Sequence, residues 1–222
     1  MARLFLLLAL LACGSAVLAQ TPSQQAQEDW FNAPADPSAA DVNEGELNFL
    51  AIPPAKPVHH HHNVLIISDQ TLLDGWAELR QCHTHLDKVP ATQIVFRQDR
   101  IRDLHILSYS GIQAAWVEGG TVQLQQIGAN AKICVALKSK VLYQQPDGNL
   151  HLPNGPFMRK FLDGYYPMHV SMDIIVKTKK LRFVDITPVK QDGFKVTVAP
   201  RQVSFDAWFE GRLNTLLRFR AL

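Results

Sequence analysis

Val203-Ser204-Phe205-Asp206-Ala207-Trp208-Phe209-Glu210-Gly211-Arg212-Leu213-Asn214-Thr215-Leu216-Leu217-Arg218-Phe219-Arg220-Ala221 is the stretch that decides the fold class. Every odd position but Gly211 and Thr215 is apolar. The even positions hold Ser204, Asp206, Glu210, Arg212, Asn214, Arg218 and Arg220. Side chains alternate between faces only in an extended strand, so a period of two over this length predicts β-structure with one buried face. Gly211 either eases a bend in one long curved strand or marks a hairpin broken near Glu210-Gly211.

The same pattern extends through the chain. Val170, Met172, Ile174 and Val176 alternate with Ser171 and Asp173, the polar Lys177–Lys180 follows, and Leu181 to Thr187 reads as the partner strand. Ile133, Val135, Leu137, Val141 and Tyr143 line one face of a strand with Lys132, Lys138 and Lys140 on the other. Two hairpins are expected, one joining Thr92–Arg97 to Ile101–Ser108 and one turning at Glu118-Gly119-Gly120. Val64–Ile67, Leu72–Arg80 and Phe194–Val198 read as further strands, and Pro146-Asp147-Gly148-Asn149 as a turn. About ten strands and no βαβ rhythm predict a mostly β protein, a single antiparallel sandwich, barrel or half-barrel domain over residues 59–222.

The pattern breaks at Asn154–Pro167. Asn154 suits a helix N-cap, Pro156 the first helical position and Gly164 the end, so one short helix is expected there. Phe157, Phe161, Tyr165 and Tyr166 with Arg159 and Lys160 form the candidate ligand site, aromatics lining an apolar pocket and a cation meeting an anionic head group. The competing reading is that these aromatics plug the core.

In a chain of 222 residues, Arg3 followed by the apolar run Leu4–Ala12 reads as a secretory signal over residues 1–19, because the run is too short to cross a bilayer. Two cleavage sites compete. Val17-Leu18-Ala19 has small residues at the spacing for ordinary cleavage. Leu10-Leu11-Ala12-Cys13 resembles a bacterial lipobox, which implies lipidation of Cys13, and Gly14 then implies the outer membrane. The expected address is the exported, periplasmic compartment, with membrane contact only through that N-terminal anchor.

Residues 20–58 are rich in Pro, Ala and Gln and carry six acidic residues against one lysine, net −5; the rest, from His59, is net +6. The acidic segment reads as a disordered tether, with Leu47–Leu50 an apolar spot able to dock. Export argues against nucleic acid as partner, leaving an envelope protein or a lipid-like ligand. Cys82 and Cys134, an even pair in an exported chain, predict a disulfide.

His59-His60-His61-His62, with His83 and His85, could hold Cu or Zn, since neutral imidazoles are good ligands for both. In an extended chain at most two of the four consecutive rings share a side. The sequence has no G-x-S-x-G, no H-E-x-x-H, no C-x-x-C and no phosphate loop, and its candidate carboxylate pairs, Asp99 with Asp103 and Asp69 with Asp74, lie next to turns, where solvated loops explain them. Binding rather than catalysis, with no obligatory cofactor, is the reading, ahead of a metal-binding protein and of a hydrolase with an unrecognised site.

Overall fold

The computed structural model describes residues 43–222. The expected signal segment, Cys13 and the tether up to residue 42 lie outside the described residues. What is described is mostly β, in several sheets, with one lone short α-helix and no closed barrel.

Fifteen strands occur among the described residues, fourteen of them in 59–222 where about ten were expected: β1 (Asn48–Phe49), β2 (His60–Ile67), β3 (Trp76–Leu86), β4 (Ala91–Val95), β5 (Ile101–Glu118), β6 (Thr121–Lys140), β7 (Tyr143–Gln144), β8 (Asn149–Phe157), β9 (Arg159–Phe161), β10 (Gly164–Tyr166), β11 (Met168–Val176), β12 (Leu181–Thr187), β13 (Phe194–Ala199), β14 (Gln202–Glu210) and β15 (Leu213–Ala221). A nine-stranded sheet runs β1-β14-β11-β2-β3-β6-β4, with β13 also on β14 and β5 also on β6. A four-stranded sheet runs β12-β15-β8-β7, and β9 with β10 forms a separate hairpin.

The stretch 203–221 is neither one strand nor a hairpin. β14 belongs to the large sheet and β15 to the small one, and the chain changes sheets at Gly211. Inward parity is kept through the corner. Phe205, Phe209, Leu213, Leu217 and Phe219 all enter one apolar cluster with Leu65, Met172 and Ile174 of the large sheet and Leu152 and Ile186 of the small one. Such corners are how two sheets share a chain while facing one core. Gly211 has φ +85°, and a Cβ there would collide with the Glu46 carbonyl oxygen. Gly211→Ala should cost about 3 kcal/mol, from the left-handed backbone plus overpacking. Urea denaturation measures this, and an unchanged midpoint would show that the Glu46 backbone does not lean on the corner.

That contact also moves a boundary. Asn48 and Phe49 pair with Glu210 and Phe209, and Leu50 N–H donates to Trp208 O at 2.8 Å. The tether expected to run free to residue 58 is therefore fixed to the domain over its Leu47–Leu50 spot, where Phe49 packs on Phe194.

Three further expectations are corrected. The ladders are not all antiparallel: β2 lies parallel to β11, from His60 beside His169 to Ile67 beside Val176. β12 pairs with β15 rather than with β11, and β4 pairs with β6 rather than with β5. The helix is also elsewhere. Asn154–Gly164 forms no helix because Pro153, Asn154 and Phe157 pair with Leu216, Thr215 and Leu213 of β15, after which Leu162-Asp163 turns the β9–β10 hairpin. A two-turn helix is marginal on its own and loses to a ladder that buries Phe157. The helix that does form is α1 (Asp69–Asp74), which takes the first three residues of the strand expected over Leu72–Arg80. Ser68 and Thr71 cap it reciprocally, and Gly75 ends it at φ +77°.

Candidate binding site

β2 carries its histidines on both faces of the large sheet. Leu65 and Ile67 point into the core, and the same parity sends Asn63, His61 and His59 inward. On β3, His83 lies across from His61 and Gln81 across from Asn63. These side chains form a polar floor in an otherwise apolar interior. Gln81 Nε2 donates to His83 Nε2 at 2.6 Å. His83 Nδ1 therefore carries the ring proton and meets His59 Nε2 at 2.9 Å. His61 Nε2 donates to Asn63 Oδ1 at 3.1 Å, and the His61 ring packs on His83 and edge-on to Phe157.

Among the described residues no buried side-chain polar atom lacks a partner. Lost hydration holds these rings neutral. It pushes His59 down to about 4, with Asp87 opposing and Arg159 assisting, and His61 down to about 3. His83 lies well below the ordinary histidine value for the same reason, with His61 and His59 adding to the effect.

Above the floor is a cavity of about 410 Å³. Its apolar wall comes from Leu79, Val141, Phe157, Met158 and Met168, and Arg97, Arg100 and Lys140 stand among its lining. Arg97 is engaged by Asp99 at 2.9 Å, and Arg100 lies over the Tyr143 ring at 5.2 Å.

The aromatic-basic segment divides. Phe157 is buried and also lines this cavity. Tyr165 is buried, its ring against Gly45, and its hydroxyl accepts from Arg212 Nε at 2.6 Å. Arg159 grips Asp87 through two bonds of 2.6 and 3.0 Å, so its charge is already matched. Phe161 and Tyr166 are exposed and pack edge to face, with Arg159 below both rings. Lys160 lies over the Tyr165 ring at 5.4 Å. Arg159, Lys160 and Phe161 border a second hollow of about 420 Å³, which shares His59 and Met158 with the first.

The even-numbered histidines occupy the opposite face. His60 stacks on His169 at 3.8 Å, and His169 on Trp208 at 4.0 Å. His60 Nε2 and His62 Nδ1 both reach Ser171 Oγ, at 2.7 and 2.8 Å, and His169 Nε2 bonds Asp206 Oδ2 at 2.7 Å. Burial pushes His60 down to about 4. For Asp206 burial is the largest single effect and works upward, but the bond from His169 together with the charges of His169, His60 and Lys195 holds the carboxyl below its usual range. His85 is apart from both groups, exposed at φ +53° against Asn130. Cys82 and Cys134 face each other across β3 and β6 and form the disulfide.

Gln81, Asn63 and Met168 belong to the site without having been picked out from the sequence. For Gln81 and Asn63 the signal was present: each stands two positions from an inward histidine. His169 and Trp208 gave none, because their role depends on two strands being neighbours.

No family model and no curated protein matches this chain. Among the described residues, no three His, Cys, Asp or Glu side chains are placed to share an ion, and no helix is long and apolar enough to cross a membrane.

Proposed function

We propose that this protein is a non-catalytic binding protein of the cell envelope that takes a small amphipathic, lipid-like ligand into the cavity above the histidine floor. The observation that carries the reading is the lining itself. About 410 Å³ falls in the range of small-molecule sites. Apolar Phe157, Met158, Leu79 and Val141 face a chain's methylenes, while Lys140 and Arg100 are at hand for an anionic end. The floor offers neutral imidazoles and amides, which favour a hydrogen-bonding group over a second charge. The envelope address rests on the N-terminal signal pattern and on the disulfide.

A fluorescent long-chain carboxylate titrated into the purified protein should bind saturably at one site. Arg100→Ala with Lys140→Ala should weaken it about fivefold, as expected for partly screened charge contacts. The matching long-chain alcohol should lose nothing. Met158→Trp, at a half-exposed position, should block both probes. Absence of saturable binding, or binding untouched by Met158→Trp, would remove the reading.

A further inference from the structure

We propose that His59 and His83 hold one Cu(I) ion through Nε2 and Nδ1, with the thioether of Met168 as third ligand. The two ring nitrogens stand 2.9 Å apart. Imidazole nitrogens bind a late first-row ion at roughly 2.0–2.1 Å, so this pair subtends about a right angle at a shared ion, and a slight parting of the rings reaches the trigonal angle. Met168 is the residue of β11 that precedes the rung joining His169 to His60, which places it beside His59 on the inward face. It is buried and lines the same cavity.

The donor set chooses the ion. Zinc asks for four ligands from Cys, His, Asp or Glu, and no three such side chains converge among the described residues. Two imidazoles and a thioether suit a soft monovalent ion that is content with low coordination. The carboxylate whose field reaches His59 is Asp87, and both its oxygens are taken by Arg159. The cysteines are joined to each other on the opposite face, so no thiolate competes.

Binding requires one rearrangement and leaves the proton count unchanged. The proton on His83 Nδ1 moves to Nε2, and Gln81 turns its amide end for end so that its carbonyl accepts there. Gln81 then fixes the tautomer of a metal-bound histidine from behind, the arrangement that outer partners of such ligands ordinarily provide.

This inference does not rest on the apolar-ligand reading, and the two titrations fail separately. The test is an oxygen-free, thiol-free titration of the purified protein, disulfide intact, with acetonitrile-stabilised Cu(I) against a chromophoric chelator. One ion per chain is expected. His59→Ala and His83→Ala should each lower the affinity about tenfold or more, whereas the outer-face double variant His60→Ala with His62→Ala should leave it unchanged. Where a buried histidine variant fails to fold, X-ray absorption of the loaded protein and the near-isosteric Met168→Leu decide the matter. A nitrogen-plus-sulfur shell that turns all-nitrogen in Met168→Leu supports the site. No stoichiometric binding, a shell without sulfur, or loss of binding in the outer-face double variant overturns it.

Discussion

Between pH 7 and pH 5 the metal-free protein should lose roughly 4 kcal/mol of unfolding free energy, about 2 for each of His59 and His61, with the buried His83 adding to the loss in the same direction. The folded chain keeps these rings neutral, two of them down to about 4 and about 3 and the third well below its ordinary value, because protonation would place charge among Leu79, Phe157 and Met168. The unfolded chain takes up its protons near the ordinary histidine value of about 6.5. Above that pH both states are neutral at these rings and the linkage vanishes. Below it only the unfolded state gains protons, so stability falls steadily until the folded values are reached. His60 acts in the same direction from a more open position. A loss of this size approaches the low end of the whole stability of a typical domain, about 5–15 kcal/mol, so acid unfolding should set in near pH 5. Urea denaturation at half-unit pH steps measures it, and a flat profile from pH 7 to 5 would show that the three rings are hydrated in the native state.

Reducing Cys82–Cys134 should cost about 4 kcal/mol on the chain-entropy account of cross-linking. The two residues are 52 positions apart, and the closed loop contains β4, β5 and most of β6. The bond does not create the β3–β6 ladder, which continues on both sides of it from Trp76–Lys140 to Leu86–Ala131. Its effect is on the unfolded ensemble, which loses the freedom to separate those ends. Cys82→Ala with Cys134→Ala, tested alongside reduced wild type, separates entropy from buried thiol chemistry. Both forms should unfold at similarly lowered urea concentrations, and unchanged midpoints in both would show that the loop is already compact when unfolded.

The fold was readable where one residue's parity suffices. From Val203 to Phe219 the alternation named the inward side chains correctly on both sides of Gly211, failing only at the exposed Ala221, and it held likewise for Ile133, Val135 and Leu137. What period two does not contain is the identity of the neighbouring strand. Leu181–Thr187 has the pattern of a hairpin partner for Val170–Val176, yet it crosses to the other sheet, where Phe183 meets Phe219. The helix shows the same limit. Asn154, Pro156 and Gly164 are good helix punctuation, as are Ser68, Thr71 and Gly75. Only the first segment had a strand, β15, ready to pair with it.

The site was legible to a similar depth. Alternation alone divides His59 and His61 from His60 and His62. Joining His59 to His83 and Met168 requires knowing that β3 flanks β2 on one side and β11 on the other. The aromatic cluster misled in the opposite way. Composition grouped Phe157 with Tyr165, but Phe157 ends β8 at the cavity while Tyr165, on β10, lies against Gly45.

The parallel ladder between β2 and β11 also sets an order of events. His62 and Ser171 are neighbours across it while 109 positions apart in the chain. Contacts of such long range close slowly, because the chain between must be ordered before they bring any return. The hairpin of β2 with β3 needs only a short connection, so His61 and His83 can meet early. Met168 and the far wall arrive with β11, after three quarters of the chain is in place. The cavity above the histidines should therefore be a late product of folding, with part of its polar floor open to solvent until β11 docks.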